Sequence, residues 1–328
     1  MRKIRIHSTG HYLPKRVVTS LELDDKLGLE PGTVESRSGV KQRHWVEGEN
    51  ALDMAEKAVQ EAIDRASIGL EDIDAIVCAM SVPHQHIPCS AALLQRRLGL
   101  QDSTIPCFDI NATCLSFLTA LDMLSYAIDA GRFKRVLIVS SEVASVGITW
   151  KETEVTSLFG DAAACAIVEF SDDSQSSALL ASDMQTYSDG ADLCTIRGGG
   201  TGLYPTQYNA ENHEQYMFTM QGPDVYKLSL RIVPKFVKNI MNQVEFEEFP
   251  LFIVHQASGA ALALMKRALH VPEDKFINII ENIGNTVASS LPLTLHHAIT
   301  SGRLQRGDKF VMGGTSAGIS VGVAVFEY

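Results

Sequence analysis

The chain has 328 residues, 45% hydrophobic, 7% aromatic and 20% charged, and 28 Lys+Arg against 39 Asp+Glu leave a net charge of −11. This composition excludes disordered, collagenous and repeat-solenoid chains, and the length suits two packed units of about 150 residues or one large pseudo-duplicated unit. The acidic balance argues against nucleic acid as a partner. No run approaches the roughly 18 to 20 apolar residues of a membrane helix, and the N-terminal MRKIRIHSTGHYLP has no apolar export segment, so a cytoplasmic protein without a membrane partner is expected. The six cysteines, at 78, 89, 107, 114, 165 and 194, contain no C-x-x-C pair, which argues against structural zinc and disulfides and leaves a single nucleophilic cysteine as the open question.

In chain order, the apolar periodicity predicts a helix over 51–66, a strand over 73–80, helices over 90–99 and 114–131, and strands over 135–141 and 164–170. A Gly-, Asp- and Tyr-rich stretch over 183–215 reads as an irregular insertion near the surface or along a substrate tunnel. A helix over 223–243, a strand over 250–256, a helix over 258–270 and a strand over 309–314 follow. Strands alternating with helices imply an α/β fold with helices covering the sheets.

Three blocks recur in the same order in the two halves. DIDAIVCAMS is echoed by FPLFIVHQAS, CFDINATC by FINIIENIGNT, and GRFKRVLIVSSE by GRLQRGDKFVMGGTS, with Gly302 − Gly131 giving an offset of 171. The expected organisation is therefore two copies of one α/β unit, 1–172 and 173–328.

Cys114 follows the strand-like PCFDI and opens a helix whose Phe117, Leu121, Leu124 and Ile128 step by 4, 3 and 4, one buried face. Unpaired backbone N–H groups and the macrodipole at a helix start should lower a thiol's pKa, which makes Cys114 the best nucleophile of the six. Taken alone, a buried structural cysteine is the better reading of it. In the second copy, His255 ends the strand equivalent to 73–80, and Asn285 lies in the block equivalent to that of Cys114. Matched strand ends of duplicated α/β units meet where ligands bind, so the three residues should converge.

With the motifs ESRSGVKQRH (35–44), DINATCLSF (109–117), LFGDAAACA (158–166), VHQAS (254–258), GNTVASSLPL (284–293) and GGTSAGISVG (313–322), the chain resembles the β-ketoacyl-acyl-carrier-protein synthase III family of thiolase-like condensing enzymes almost from end to end. The resemblance implies a five-layered αβαβα thiolase-like fold, a homodimer and no cofactor. It implies decarboxylative Claisen condensation, with Cys114 carrying the acyl group, His255 and Asn285 polarising a malonyl thioester, and the backbone N–H groups of Cys114 and Ala317 forming the acyl oxyanion hole. It further implies that Ile87 closes the partner's acyl pocket, that Arg37 borders the coenzyme A and pantetheine entrance, and that Lys227, Lys266 and Arg267 dock an acyl carrier protein. Lys227, Arg231, Lys235 and Lys238 step by 4, 4 and 3 along one helical face, in keeping with a basic patch. Departures from the family pattern are Thr33 and Ala260 in place of a tryptophan and an arginine, and Thr153 in place of another arginine, so priming from acetyl-coenzyme A is put in doubt. Two other readings stand beside condensation: transfer of the Cys114 acyl group to a small-molecule acceptor, and a catalytically idle partner subunit.

Other motifs carry less. Gly314–Gly318 matches G-x-S-x-G, but the following ISVGVAVFEY reads as a strand where a nucleophile elbow needs a helix. His84 and His86 could face one side of an extended segment, with no third metal ligand evident, and adjacent His296 and His297 in a helix point to different faces.

Overall fold

The computed structural model describes residues 1–172 and 176–328. The first half runs β1 (Ile4–Tyr12), β2 (Arg16–Thr19), α1 (Ser20–Leu27), α2 (Thr33–Ser38), β3 (Gln42–Trp45), α3 (Ala51–Ala66), β4 (Ala75–Ala79), α4 (Ser90–Arg97), β5 (Cys107–Ile110), α5 (Ser116–Asp129), β6 (Arg135–Glu142), α6 (Thr153–Leu158) and β7 (Ala162–Phe170). The second runs β8 (Ala178–Thr186), β9 (Cys194–Thr195), β10 (Thr219–Met220), α7 (Gly222–Met241), β11 (Leu251–Val254), α8 (Gly259–Ala268), α9 (Ile280–Ile283), α10 (Ser290–Thr300), β12 (Lys309–Ser316) and β13 (Ser320–Glu327). The expected boundary at 172/173 lies at the edge of residues 173–175, which are outside the described residues; the chain crosses from one sheet to the other between Phe170 and Ala178.

The two main sheets have one topology. The first has the order β1-β7-β6-β4-β5, with β7 antiparallel to both neighbours and β6, β4 and β5 parallel. The second has the order β8-β13-β12-β11, with β13 antiparallel to both neighbours and β11 parallel to β12. Where β5 flanks β4 in the first sheet, Phe276 makes a parallel bridge to Phe252 of β11 in the second. The three sequence echoes thus fall on β4 and β11, on β5 and the Phe276 segment, and on β6 and β12.

Strand alternation explains the layering. On β4, Ala75, Val77 and Ala79 face a central core while Ile76 and Cys78 face an outer one. On β11, Leu251 and Ile253 join that same central core, and Phe252 and Val254 face a third. Helices α5 and α10 lie between the sheets, α3 and α4 cover the first sheet, and α7 and α8 cover the second, which gives αβαβα. Helix burial follows position: α10 hides Ser290 through His296 and Ala298, as a helix between two sheets must, whereas α7 buries only Ile232, Val233, Phe236, Val237 and Ile240. Phe117, Leu121, Leu124 and Ile128 of α5 are buried as the spacing predicted, each contributing about 1.5–3 kcal/mol.

Two expectations need correction. The helix predicted from Cys114 starts at Ser116, so Cys114 sits in the turn before it. The stretch predicted as irregular from 183 begins inside β8, which runs to Thr186 and pairs along β13. The 310 turns Ser188–Leu193, Pro205–Gln207 and His213–Tyr216 punctuate the remainder. No helix among the described residues is long and apolar enough to cross a membrane.

Candidate active site

Cys114 is held by its neighbours on both sides. Thr113 adopts φ 51°, a left-handed conformation that turns the chain from β5 into α5. Its Oγ1 donates to Ala317 O at 3.4 Å, and Ser116 Oγ donates to Thr113 O at 2.6 Å. The N–H groups of Ala317 and of Cys114 itself reach the Cys114 thiol. Ala317 lies in the turn between β12 and β13, so the two halves of the molecule meet at the sulfur. Strand β13 after this turn rules out the nucleophile-elbow geometry that G-x-S-x-G requires.

His255 follows β11 directly and is 4% exposed. Its N–H donates to Gly313 O at 3.0 Å, and a Cβ on Gly314 would come within 2.6 Å of His255 Cβ, so only glycine lets β12 run this close beneath the imidazole. Nδ1 has no hydrogen-bond partner. Burial pulls the imidazole down to about 4, so the ring is neutral at pH 7.

Asn285 sits on a loop clamped to the end of α6. Its N–H donates to Leu158 O at 2.8 Å and its carbonyl accepts from Gly160 N–H at 3.0 Å. Gly284, at φ 69°, precedes it, and a Cβ there would lie 2.6 Å from Leu158 O. The side-chain orientation is settled by its partners: Oδ1 accepts from Val287 N–H at 2.9 Å and Nδ2 donates to Ala257 O at 3.2 Å. The second Nδ2 hydrogen remains available as a donor. Because Ala257 is two residues beyond His255, the same loop ties the amide to the imidazole.

The expected lowering of the Cys114 pKa does not occur. Burial first, then the nearby carboxyl of Glu142 and the thiol of Cys194, push it up to about 12 despite the N–H groups of Ala317 and Cys114. Taking a thiolate out of water costs more than one turn of helix and two N–H groups return. Glu142 is a site residue that sequence reasoning missed. It ends β6, is 3% exposed, accepts from Ser81 N–H at 2.5 Å and is also hydrogen-bonded by Val82 N–H. Burial raises it to about 8. The available signal was a lone acid closing the apolar run RVLIVSSE.

The remaining candidates lie at the surface. Ile87 is 85% exposed on a loop whose residues 82–88 are all exposed. Arg37 is exposed in the last turn of α2. Lys227, Arg231, Lys235 and Lys238 share the exposed face of α7, with Lys227 paired to Asp224 at 3.2 Å. On α8, Lys266 is half-buried and paired to Glu273, and Arg267 is exposed.

The family described as 3-oxoacyl-[acyl-carrier-protein (ACP)] synthase III matches residues 108–188, and its C-terminal counterpart matches residues 241–328. The chain is 31% identical over 332 residues to the β-ketoacyl-[acyl-carrier-protein] synthase III of Campylobacter fetus subsp. fetus, covering 100% of this chain and 99% of that protein. It is 30% identical over 326 residues to the synthase III of Aquifex aeolicus, covering 99% of both. The crystal structure of 3-oxoacyl-[acyl-carrier-protein] synthase III from Aquifex aeolicus superposes with a TM-score of 0.89 at 29% identity, covering 99% of this chain and 100% of that one. Full-length similarity at this level, on a shared αβαβα fold, means that the chain belongs to the 3-oxoacyl-[acyl-carrier-protein] synthase III family.

Proposed function

We propose that this chain is a condensing acyltransferase that loads an acyl group on Cys114 and extends it with a malonyl thioester. In the first half-reaction, Cys114 Sγ attacks the thioester carbonyl, the new C–S bond forms as the old one breaks, and the Cys114 proton leaves on the departing carrier thiol. In the second, the malonyl thioester loses carbon dioxide. Its enolate carbon attacks the Cys114 acyl carbonyl, a C–C bond forms, and the C–S bond to Cys114 breaks. The cysteine recovers a proton, and a β-ketoacyl thioester leaves.

The observation that carries this reading is the pair of N–H groups, from Cys114 and Ala317, at the Cys114 thiol. They lie beside the sulfur where the carbonyl oxygen of an acyl group on it would develop charge. His255 and Asn285 suit the second step. An imidazole whose Nδ1 has no partner costs least with its proton on Nε2, and neutral Nε2–H with the spare Asn285 Nδ2–H can hold an enolate oxygen.

In this reading Arg37 borders the pantetheine entrance, the loop bearing Ile87 reaches into the acyl pocket of a second copy in a homodimer, and Lys227, Lys266 and Arg267 receive an acidic acyl carrier protein. Among the described residues Arg231, Lys235, Lys238 and Arg267 form no ion pair, so the α7–α8 face retains positive charge to steer such a partner. All six cysteines are free thiols, which suits the cytoplasm. Intact-mass spectrometry after mixing with acyl thioesters tests the proposal: an acyl adduct on Cys114, absent in Cys114→Ala, followed by carbon dioxide release from malonyl carrier protein, is expected. An adduct without carbon dioxide release would point to simple acyl transfer, and no adduct with any donor to an idle subunit.

A further inference from the structure

On a side of the molecule served by β1, α3 and α10, three side chains able to ligate a metal come together. His11, Glu61 and His296 each offer one ligand atom, all within 4.8 Å of one another. His11 Nδ1 lies 2.8 Å from Glu61 Oε2, and His296 Nε2 lies 3.7 Å from Glu61 Oε1. The two imidazoles stack with centroids 4.4 Å apart, and each has a ring nitrogen near the Glu61 carboxylate. Tetrahedral bonds of about 2.0–2.2 Å separate ligand atoms by about 3.3–3.5 Å, so small side-chain rotations bring this cluster to bonding geometry.

A second feature concerns the far side of the buried ring. His296 Nδ1 lies 3.1 Å from Thr9 Oγ1, and the Thr9 backbone also hydrogen-bonds this imidazole. Such hydrogen bonds orient an imidazole, as they do for metal-bound histidines. Nε2 lies 3.7 Å from Glu61 Oε1, too long for a hydrogen bond and a little beyond the separation of two ligands of one ion. His296 is 4% exposed, while His11 and Glu61 are half-buried, so the site has an anchored wall and a solvent-open side. Arg65 is the cation that acts on His296, less strongly than Glu61 does, while burial lowers the neighbouring His297 imidazole so that it adds no charge at pH 7.

We propose that His11, Glu61 and His296 form a binding site for a divalent ion of the zinc class, with solvent completing its coordination. Two imidazoles and one carboxylate are the ligand set such borderline ions prefer. A bound ion ties the first strand to an outer and a middle helix and therefore acts on stability, away from Cys114.

The test uses the tag-free full chain, stripped with chelator and titrated with cobalt(II) followed by visible absorption, and with zinc by calorimetry. One equivalent is expected to bind, with no thiolate-to-cobalt charge-transfer band, since no cysteine is a ligand, and saturating zinc should raise Tm by a few degrees. His11→Phe keeps the stacked ring but loses the ligand, and Glu61→Gln keeps the shape but loses the charge; each should weaken binding by at least about tenfold, the scale even of outer-shell losses. Apo-protein melts identify any variant that fails to fold, and His84→Asn with His86→Asn should bind as the parent does. No saturable binding, a thiolate band, or equal affinity in well-folded His11→Phe and Glu61→Gln would overturn the proposal.

Discussion

Asn285→Asp should separate the two proposed half-reactions most sharply. The substituted carboxylate can still accept from Val287 N–H, now made at 2.9 Å, and the backbone bonds of residue 285 to Leu158 and Gly160 do not depend on the side chain, so the loop should stay in place. What disappears is the Nδ2 donor, which also bonds Ala257 O at 3.2 Å, and a negative oxygen takes its position. Removing one preorganised oxyanion donor costs about 2.7–4 kcal/mol, or about 10²–10³ in rate, and the added charge deepens the loss. In the proposed mechanism, the loading step needs only the thiol and the N–H groups of Cys114 and Ala317. Intact-mass kinetics of acyl loading should therefore change little, while carbon dioxide release from malonyl carrier protein falls by at least about 10²-fold. Parallel loss in both assays, or decarboxylation that survives intact, would refute the division of labour between Cys114 and the His255–Asn285 pair.

Because burial pushes the Cys114 thiol up to about 12, its alkylation by iodoacetamide should rise about tenfold per pH unit from 7 to 10, and a plateau near neutrality would contradict it. Glu142, raised to about 8, stays protonated in the fold while its unfolded form ionises near 4.5, so it makes stability fall as pH rises between those values, by up to about 1.4 kcal/mol per unit. Denaturant melts should accordingly show Glu142→Gln gaining on the parent from pH 5 to pH 8; a pH-independent difference would show that the carboxyl does not titrate there. If Ile87 closes a partner's acyl pocket, loading rates across C2 to C12 donors should favour medium chains and Ile87→Phe should shift the optimum shorter, each excluded methylene costing about 0.8 kcal/mol. A maximum at C2 in the parent would dismiss it. Lys227→Glu with Arg267→Glu should slow loading from acyl carrier protein and flatten its salt dependence while sparing coenzyme A donors; equal slowing of both would mark the patch as ordinary surface.

Much of this architecture was legible in the residue order because periodicity and recurrence are local properties. The strands at β4, β6, β7, β11 and β12 and the helices at α3, α4, α5, α7 and α8 announced themselves through spacing, and the offset near 171 foretold two sheets of one topology. Cys114, His255 and Asn285 could be picked as strand-end and loop residues at matched positions of the repeat. β8 escaped notice because its exposed outer end, Asp183–Thr186, lacks the apolar continuity of the buried strands and takes its order from pairing with β13. Electrostatics escaped for a related reason. A helix start lowers a thiol's pKa, and that much is visible in sequence, but the desolvation that outweighs it, and the Glu142 carboxyl that adds to it, depend on tertiary packing around Cys114. Glu142 itself looked like the end of a strand; its burial and its bonds to Ser81 and Val82 come from segments 60 residues away. The cluster of His11, Glu61 and His296 joins residues from both ends of the chain. Sequence order determines which groups each element carries, whereas distance, burial and therefore charge state are decided only when elements remote along the chain pack together.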